Sequence, residues 1–200
     1  MSRTRWSPLA MAVLCLLEEA PMHPYRMQVL LKERGKSDVI NVAERTSLYK
    51  VVERLLHAGL IAIRETMRDP QRPERTIYEL TDAGRAAWRA WLSEALSTPA
   101  REFPEFPAAM SLAALLSPEA LRQALEERVS ALRAERERLA QGMAAAPVPR
   151  LFLLEDEYRR AVLAAEIGWL DGLVADLREG RLTWDLAWIR QIAAQLGPGG

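Results

Sequence analysis

Residues 46–63 read Thr-Ser-Leu-Tyr-Lys-Val-Val-Glu-Arg-Leu-Leu-His-Ala-Gly-Leu-Ile-Ala-Ile, and this stretch decides the fold. Successive helical residues are rotated by about 100°, so one side of a helix here carries Leu48, Val51, Val52 and Leu55. The opposite side carries Ser47, Lys50, Arg54 and His57, with Tyr49 and Glu53 between the two sides. Thr46 offers a capping hydroxyl, and Gly59 suits the left-handed residue that ends a helix. A short helix with one apolar and one cationic face is typical of a reader of the DNA major groove.

Two further helices are predicted before this stretch. The first runs from about Pro8 to Glu19, with Ser7 as its cap and a proline in the first turn, where a missing N–H costs nothing. The second begins near Pro24, after His23 as its cap, and ends near Gly35. The connector between them is short, so we expect these helices to be neighbours.

A two-stranded hairpin is predicted after the glycine. Residues 60–66 alternate as a half-buried strand does, and residues 75–80 are the predicted returning strand. The link 67–74 contains two prolines, so we expect neither strand to extend far into it. Three helices followed by a hairpin with arginines near its tip is the order of a winged helix-turn-helix.

The chain also resembles the PadR family of bacterial transcriptional regulators. The resemblance covers about the first 95 residues, and its most specific elements are Ser47-Leu48-Tyr49, Gly59-Leu60-Ile61 and the run Tyr78-Glu-Leu-Thr-Asp-Ala-Gly84. Further matches are Leu9 to Glu19, Met22-His23-Pro24-Tyr25, Glu53-Arg54-Leu55 and Arg75 to Arg85. The remaining half is similar to the longer helical domain of one branch of the family, on pattern and length more than on motifs. The resemblance implies a DNA-binding regulator that acts as a dimer.

Composition and charge bound the class of protein. Half of the 200 residues are hydrophobic, yet no window approaches the roughly 18 uninterrupted apolar residues of a membrane span, and the start lacks a signal peptide's apolar core. We therefore expect a cytoplasmic protein. The single cysteine, Cys15, permits no intrachain disulfide and is predicted to be a buried structural thiol.

The charges are balanced overall but not along the chain. The 27 basic and 27 acidic residues cancel, which argues against an indiscriminate polyanion binder. Residues 1–96 hold 15 basic and 12 acidic residues, a net charge of +3, and residues 97–200 hold 12 and 15, a net charge of −3. The sign suits an amino-terminal half that meets phosphate, although the bias is modest.

The predicted fold is mainly α. A winged helix-turn-helix DNA-binding domain with a two-stranded wing occupies residues 1–97, a linker occupies 98–107, and an all-α dimerisation domain with long antiparallel helices occupies 108–196. Proline-rich sequence around 100–107 marks the boundary, and Ser117-Pro118-Glu119 is a strong helix start. Helices are predicted at about 82–96, 108–116, 118–141 (stopped by Gly142), 150–179 and 183–196.

The helix at 150–179 contains a heptad seam of mostly small residues, which is predicted to mediate dimerisation. The heptad line consists of Leu151, Leu154, Tyr158, Ala161, Ala165, Gly168, Gly172 and Ala175, of which the first seven are the predicted dimerisation residues. One interpretation is that the seam only packs this helix against its neighbour in an antiparallel hairpin. The other is that it also joins two chains, since helix-turn-helix proteins commonly bind DNA as two-fold dimers.

Two sets of candidate ligand-binding residues follow. The predicted DNA contacts are Ser47, Tyr49, Lys50, Arg54, Arg68, Arg72 and Arg75. The competing interpretation is a solvated surface, with Tyr49 covering the core edge and the wing arginines paired with neighbouring acids. Trp88, Trp91 and Trp169 are weaker candidates for binding an aromatic or hydrophobic effector, against the alternative that they fill the core and interfaces.

Catalytic and metal chemistry find no support in the residues. Two separated histidines and one cysteine form no metal-ligand cluster, and no nucleophile–base arrangement or glycine-rich phosphate loop is present. We therefore expect a non-enzymatic protein without cofactors: a homodimeric repressor that binds an inverted repeat in double-stranded DNA. An effector, if used, would change the dimer geometry. The alternative is a winged module that binds protein without an operator.

Overall fold

The computed structural model describes residues 7–40, 45–69 and 72–196. The chain divides into two compact units, Met1–Arg101 and Glu102–Gly200. Helices dominate both units, and the two-stranded sheet belongs to the first, so the predicted fold class is confirmed. Within the described ranges, no helix combines the length and apolarity needed to cross a bilayer.

The first unit has the element order of a winged helix-turn-helix. Its helices are α1 (Pro8–Glu19), α2 (Pro24–Glu33), α3 (Arg45–His57) and α4 (Asp82–Ser97), and its strands are β1 (Ile61–Asp69) and β2 (Arg72–Leu80).

Two predicted caps are confirmed. The Ser7 hydroxyl accepts a hydrogen bond of 3.2 Å from the Ala10 N–H at the start of α1. At the start of α2, Nδ1 of His23 accepts a bond of 3.0 Å from the Tyr25 N–H. These bonds satisfy donors that have no partner within the helix, and they set where each helix begins. The side chain of Thr46, the predicted cap of α3, lies outside the described residues.

One apolar core joins the first three helices to the start of β1. Trp88 and Trp91 of α4 pack against it. The buried members come from every helix of the helix-turn-helix: Leu9, Ala10, Val13, Leu14, Leu16, Leu17, Met22, Met27, Leu31, Leu48, Val51, Val52, Leu55 and Ile61. Burial of this many large side chains is what holds α3 in place.

The wing strands are longer than predicted. The expectation that the proline-rich link would end them was wrong, because the backbone pairing continues to Asp69 opposite Arg72. A two-stranded ribbon tolerates Pro73, because both of its strands are edge strands. Each strand is hydrogen-bonded on one side only, so a proline cannot disrupt pairing with a third strand. Register irregularities between Ile63 and Glu65 and between Met67 and Asp69 accompany the extension.

The second unit contains α5 (Glu105–Met110), α6 (Pro118–Ala145), α7 (Leu154–Arg178) and α8 (Leu186–Leu196). Three predicted starts were wrong. The helix expected from residue 150 begins at Leu154, after a short 3₁₀ helix over Arg150–Leu153. The helix expected from residue 108 begins at Glu105, inside the predicted linker, because Pro107 stands in a first turn whose N–H groups need no helical partner. The last helix begins at Leu186 rather than at 183.

The predicted end of α6 was also wrong. The helix passes through Gly142 and ends at Ala145. A Cβ at Gly142 would meet nothing within 4 Å, so the position is open. Glycine costs about 1 kcal/mol of helix propensity, and the helix-forming residues that follow it continue the helix to Ala145, just before Ala146 and Pro147.

Helices α6 and α7 form an antiparallel hairpin. Arg128 on α6 pairs with Glu166 on α7 at 2.6 Å, and Glu135, further along α6, pairs with the earlier Arg159 at 3.0 Å. The core between them contains Leu121, Leu125, Val129, Leu170, Val174 and Leu177. The prediction of long antiparallel helices is therefore confirmed.

Candidate nucleic-acid interface and dimerisation face

Helix α3 presents its polar side outward, as its periodicity predicts. Its four apolar residues Leu48, Val51, Val52 and Leu55 are buried in the core of the first unit. Lys50 and Arg54 are exposed on the other side. Because α1 and α2 pack against the apolar side of α3, these two cations face away from the core.

The end of α3 is a sharp turn into the wing. Gly59 has a φ of 68°, the left-handed conformation predicted for it. The Leu60 N–H donates to the Leu55 carbonyl at 3.0 Å, and Ile61 then enters the core. Because a residue with a Cβ is strained at this φ, the glycine allows β1 to start one residue after the turn.

Tyr49 and Ser47 lie at the amino-terminal half of α3. Ser47 is partly buried, whereas Tyr49 is exposed. Burial raises the pKa of Tyr78 on β2, and the proximity of Tyr49 and of the Glu53 carboxylate raises it further. Tyr49 is therefore close enough to Tyr78 of the wing to affect its pKa, and it lies on the same helix as Lys50 and Arg54.

The wing carries further arginines. Arg75 is exposed on β2, while the side chains of Arg68 and Arg72 lie outside the described residues. Arg64 on β1 is also exposed and pairs across the strands with Glu79 at 3.7 Å. Sequence reasoning missed Arg64, although the strand alternation after Gly59 was sufficient to place it on the wing surface.

Ion pairs connect α1 with its neighbours. Arg34, just after α2, makes two bonds of 2.6 and 2.7 Å to the Glu19 carboxylate. Those hydrogen bonds hold the pKa of Glu19 below its usual range, against a smaller opposing effect of burial. Glu18 accepts hydrogen bonds from Arg85 and Arg89 of α4. Both sets of pairs connect helices that support α3.

The three candidate effector tryptophans are divided between the units. Trp88 and Trp91 pack against the core of the first unit, as the core-filling alternative expects. The Nε1 of Trp88 is buried and has no hydrogen-bond acceptor among the described residues. Trp169 is exposed on α7 in the second unit. A groove of about 370 Å³ in the second unit, lined by Val129, Val174 and two Arg–acid pairs, contains none of the three.

The predicted dimerisation seam does not pack within its own unit. Its first seven members are exposed, including Leu151 at 70% and Tyr158 at 71%, and only Ala175 is partly buried. The hairpin uses a different face of α7, formed by Ile167, Leu170, Val174 and Leu177. The interpretation of the seam as the contact between hairpin helices was therefore wrong.

Other large apolar side chains share the seam's side of α7 and the turn before it. Phe152, Val162 and Trp169 are each about half exposed. We call the exposed set Leu151, Phe152, Leu154, Tyr158, Ala161, Val162, Ala165, Gly168, Trp169 and Gly172 the α7 face. Sequence reasoning missed Phe152 and Val162, because the strict heptad line selects only one row of the helix.

Comparison with known proteins shows what the first part of this chain is similar to. The profile of the Transcriptional regulator PadR-like family matches residues 13–90, which confirms the resemblance inferred from the motifs. That family consists of regulators rather than enzymes. Among curated proteins, no sequence match is found.

Solved structures extend the likeness over most of the chain. Bacillus subtilis PadR in complex with operator DNA is 20% identical, with a TM-score of 0.68 over 86% of this chain and 99% of that one. The same protein in complex with p-coumaric acid gives a TM-score of 0.69 at 20% identity, over 85% and 98%. The Vibrio cholerae virulence activator AphA gives 0.64 at 21% identity, over 86% and 98%. At these identities the likeness establishes the fold.

Proposed function

We propose that this chain, a PadR-like transcriptional regulator by its match over residues 13–90, is a homodimeric repressor that binds an inverted-repeat operator. Two copies of α3 would read bases in successive major grooves, and the bound dimer would occlude a promoter. Two-fold symmetry of the protein matches the symmetry of an inverted repeat.

The single observation that carries the proposal is the outward placement of Lys50 and Arg54 on a helix whose other side is locked into the core. Arginine can donate two hydrogen bonds to one guanine edge, and lysine can reach a base or a phosphate. Ser47 and Tyr49, at the amino-terminal half of the same helix, suit phosphate contact through their hydroxyls.

The wing would contact the DNA backbone beside the reading helix. Arg75 and Arg64 are exposed on its two strands. Arg68 and Arg72 lie nearer the tip in sequence and are proposed contacts on that ground. Arginines in a wing suit phosphates or a narrow minor groove.

The α7 face supports the dimer. Large side chains bury about 150–250 Å² each when fully covered, so its six half-exposed ones leave on the order of 500 Å² of apolar surface. That area lies near the top of the roughly 300–600 Å² found for the largest patch of a soluble monomer, and it approaches the ~800 Å² that each partner of a stable complex buries. A second copy of α7 would cover it.

The proposal also includes a small-molecule effector. One structural neighbour is a complex with p-coumaric acid, and this chain has exposed or core-edge tryptophans at 88, 91 and 169. A small aromatic or hydrophobic molecule would release the operator by favouring a dimer geometry in which the two readers no longer match the grooves.

The test is operator binding by the Lys50→Ala/Arg54→Ala variant. A duplex selected by the wild-type protein from a random pool serves as the operator, and binding is measured by fluorescence anisotropy at several salt concentrations. We expect a fall in affinity, and a salt dependence of log K that is shallower by about 2 if both cations contact phosphate.

A matched control removes two exposed cations elsewhere. Arg136→Ala/Arg138→Ala on α6 changes the net charge equally and should leave both affinity and salt slope near wild type. Unchanged operator binding by the α3 variant would remove α3 as the reader. A wild-type protein that selects no duplex would instead favour the protein-binding alternative, with which the neutral net charge of the chain is compatible.

A further inference from the structure

The turn after α3 is fastened to the first turn of α4 by a contact outside the reading surface. The Thr81 hydroxyl donates a hydrogen bond of 2.8 Å to the carbonyl of Gly59. The backbone N–H of Thr81 donates to the neighbouring Leu60 carbonyl at 3.2 Å. Thr81 thus binds two successive carbonyls, those of Gly59 and Leu60, in the turn that follows α3.

The same hydroxyl is the cap of α4. It accepts a bond of 3.0 Å from the Gly84 N–H, which is the third residue of the helix. A threonine hydroxyl can donate one bond while accepting another, so the cap of α4 and the anchor of the α3 turn are a single group. Changing one therefore changes the other.

Gly84 completes the contact by being small. It is buried, and a Cβ built on it would overlap the carbonyl oxygen of Leu60 and lie 2.8 Å from Cδ1 of Leu80. Backbone cannot yield as the end of a flexible side chain can. Close approach of the α4 backbone to the turn is possible only with glycine at this position.

The reading residues are near this anchor along the helix. Arg54 precedes Gly59 by little more than one turn, and its carbonyl accepts the Ala58 N–H at 3.0 Å. The core holds the apolar side of α3, and the setting of Gly59 and Leu60 fixes the direction of its last turn, which carries Arg54. The other end of α4 leads to the second unit of the chain.

We infer that Thr81 and Gly84 are positioning residues for operator reading, because they tie the end of α3 to the start of α4 so that the two helices turn together. This inference rests on the proposed function for its effect on DNA, but the mechanical contact can be tested without DNA. A rotation of α4, whatever its cause, would then be transmitted to the reading face.

The experiment compares three substitutions. Thr81→Val removes the hydroxyl at nearly constant shape, Thr81→Ser retains the hydroxyl, and Gly84→Ala forces the Leu60 carbonyl to move. Ser93→Ala, at an exposed hydroxyl later in α4, is the matched control. All binding is measured at a temperature well below the lowest thermal midpoint of the set. Circular dichroism verifies that every variant is folded at that temperature.

We expect Thr81→Val and Gly84→Ala to lose operator affinity by about tenfold, the cost of misplacing one good base contact. Affinity for random-sequence duplex should change by less than about twofold, because phosphate contacts depend on charge more than on register. Thr81→Ser and Ser93→Ala should remain near wild type. A lower thermal midpoint for Thr81→Val with wild-type operator affinity would overturn the inference, since a cap alone would behave that way.

Amide hydrogen exchange provides the readout that does not need DNA. In Thr81→Val, peptides covering residues 48–60 should exchange faster while peptides of α1 stay as in wild type. Unchanged exchange in residues 48–60 would overturn the inference even if the protein binds no DNA. Failure of wild type to select a duplex, together with faster exchange in the variant, would refute the proposed function and leave the contact established.

Discussion

Tyr158→Ala tests whether the α7 face joins two chains. Tyr158 is 71% exposed in a single chain, so a partner could cover about 100–180 Å² of a side chain of this type. At roughly 25 cal/mol per Å² this area corresponds to about 2.5–4.5 kcal/mol as an upper limit. A two-fold interface contains the residue twice, so the loss applies twice per dimer.

We therefore expect the dissociation constant of the dimer to rise by at least about a hundredfold, which requires a loss of only about 2.8 kcal/mol per dimer. Sedimentation velocity over a range of protein concentrations measures it directly. The variant should keep the wild-type circular dichroism spectrum, because Tyr158 does not contribute to the core of its own unit.

Tyr25→Ala is the control, since Tyr25 is 53% exposed on α2 and lies in the other unit. It should leave the dimer dissociation constant within experimental error of wild type. A Tyr158→Ala protein that associates as tightly as wild type would refute the assignment of this face. Equal weakening by both variants would refute it as well.

Four further predictions concern the fold. Leu170→Ala removes a fully buried side chain (0% exposed) and should lower the free energy of unfolding by about 2–5 kcal/mol in chemical denaturation. Gly142→Ala, at an open helical position, should raise it by up to about 1 kcal/mol, and a decrease would show an unrecognised role for the glycine. Hydrogen bonds from Arg34 lower the pKa of Glu19 from its ordinary 4.5. The stabilisation that they give should therefore be present above pH 4.5 and be lost as the pH falls below it. On acidification below pH 4.5, the thermal midpoint should fall more for wild type than for Glu19→Gln. Cys15 is only partly buried, whereas a buried thiol was predicted. Partial burial, with the nearby carboxylates, still raises the pKa of Cys15, so iodoacetamide should label it slowly at neutral pH and quickly in urea.

Local chemistry made the first unit predictable. The hydroxyl of Ser7 and the imidazole of His23 cap the helices that they were expected to cap. The left-handed φ of Gly59 follows from the turn that its position requires. Each of these features depends on residues within a few positions of one another, so the sequence is sufficient to predict them.

The limits of the wing and of α6 depended on context. Pro73 was expected to stop a strand, but a ribbon with two free edges has no second neighbour to lose. Gly142 was expected to stop a helix, but nothing surrounds it and good helix formers follow it. In both cases the intrinsic preference of one residue was outweighed by its context: the free strand edges for Pro73, and the helix-forming residues that follow for Gly142.

The sequence by itself determined which side of α3 is buried, because only one of its sides is apolar. It did not determine the use of α7, which has two apolar rows of similar spacing, one through Leu154 and Tyr158 and the other through Leu170 and Val174. Only the tertiary structure decided that the second row packs against α6, where it meets the apolar row of Leu121, Leu125 and Val129. The contact of Thr81 with Gly59 could not be predicted from the sequence either, since it joins residues 22 positions apart that only the folded hairpin brings together.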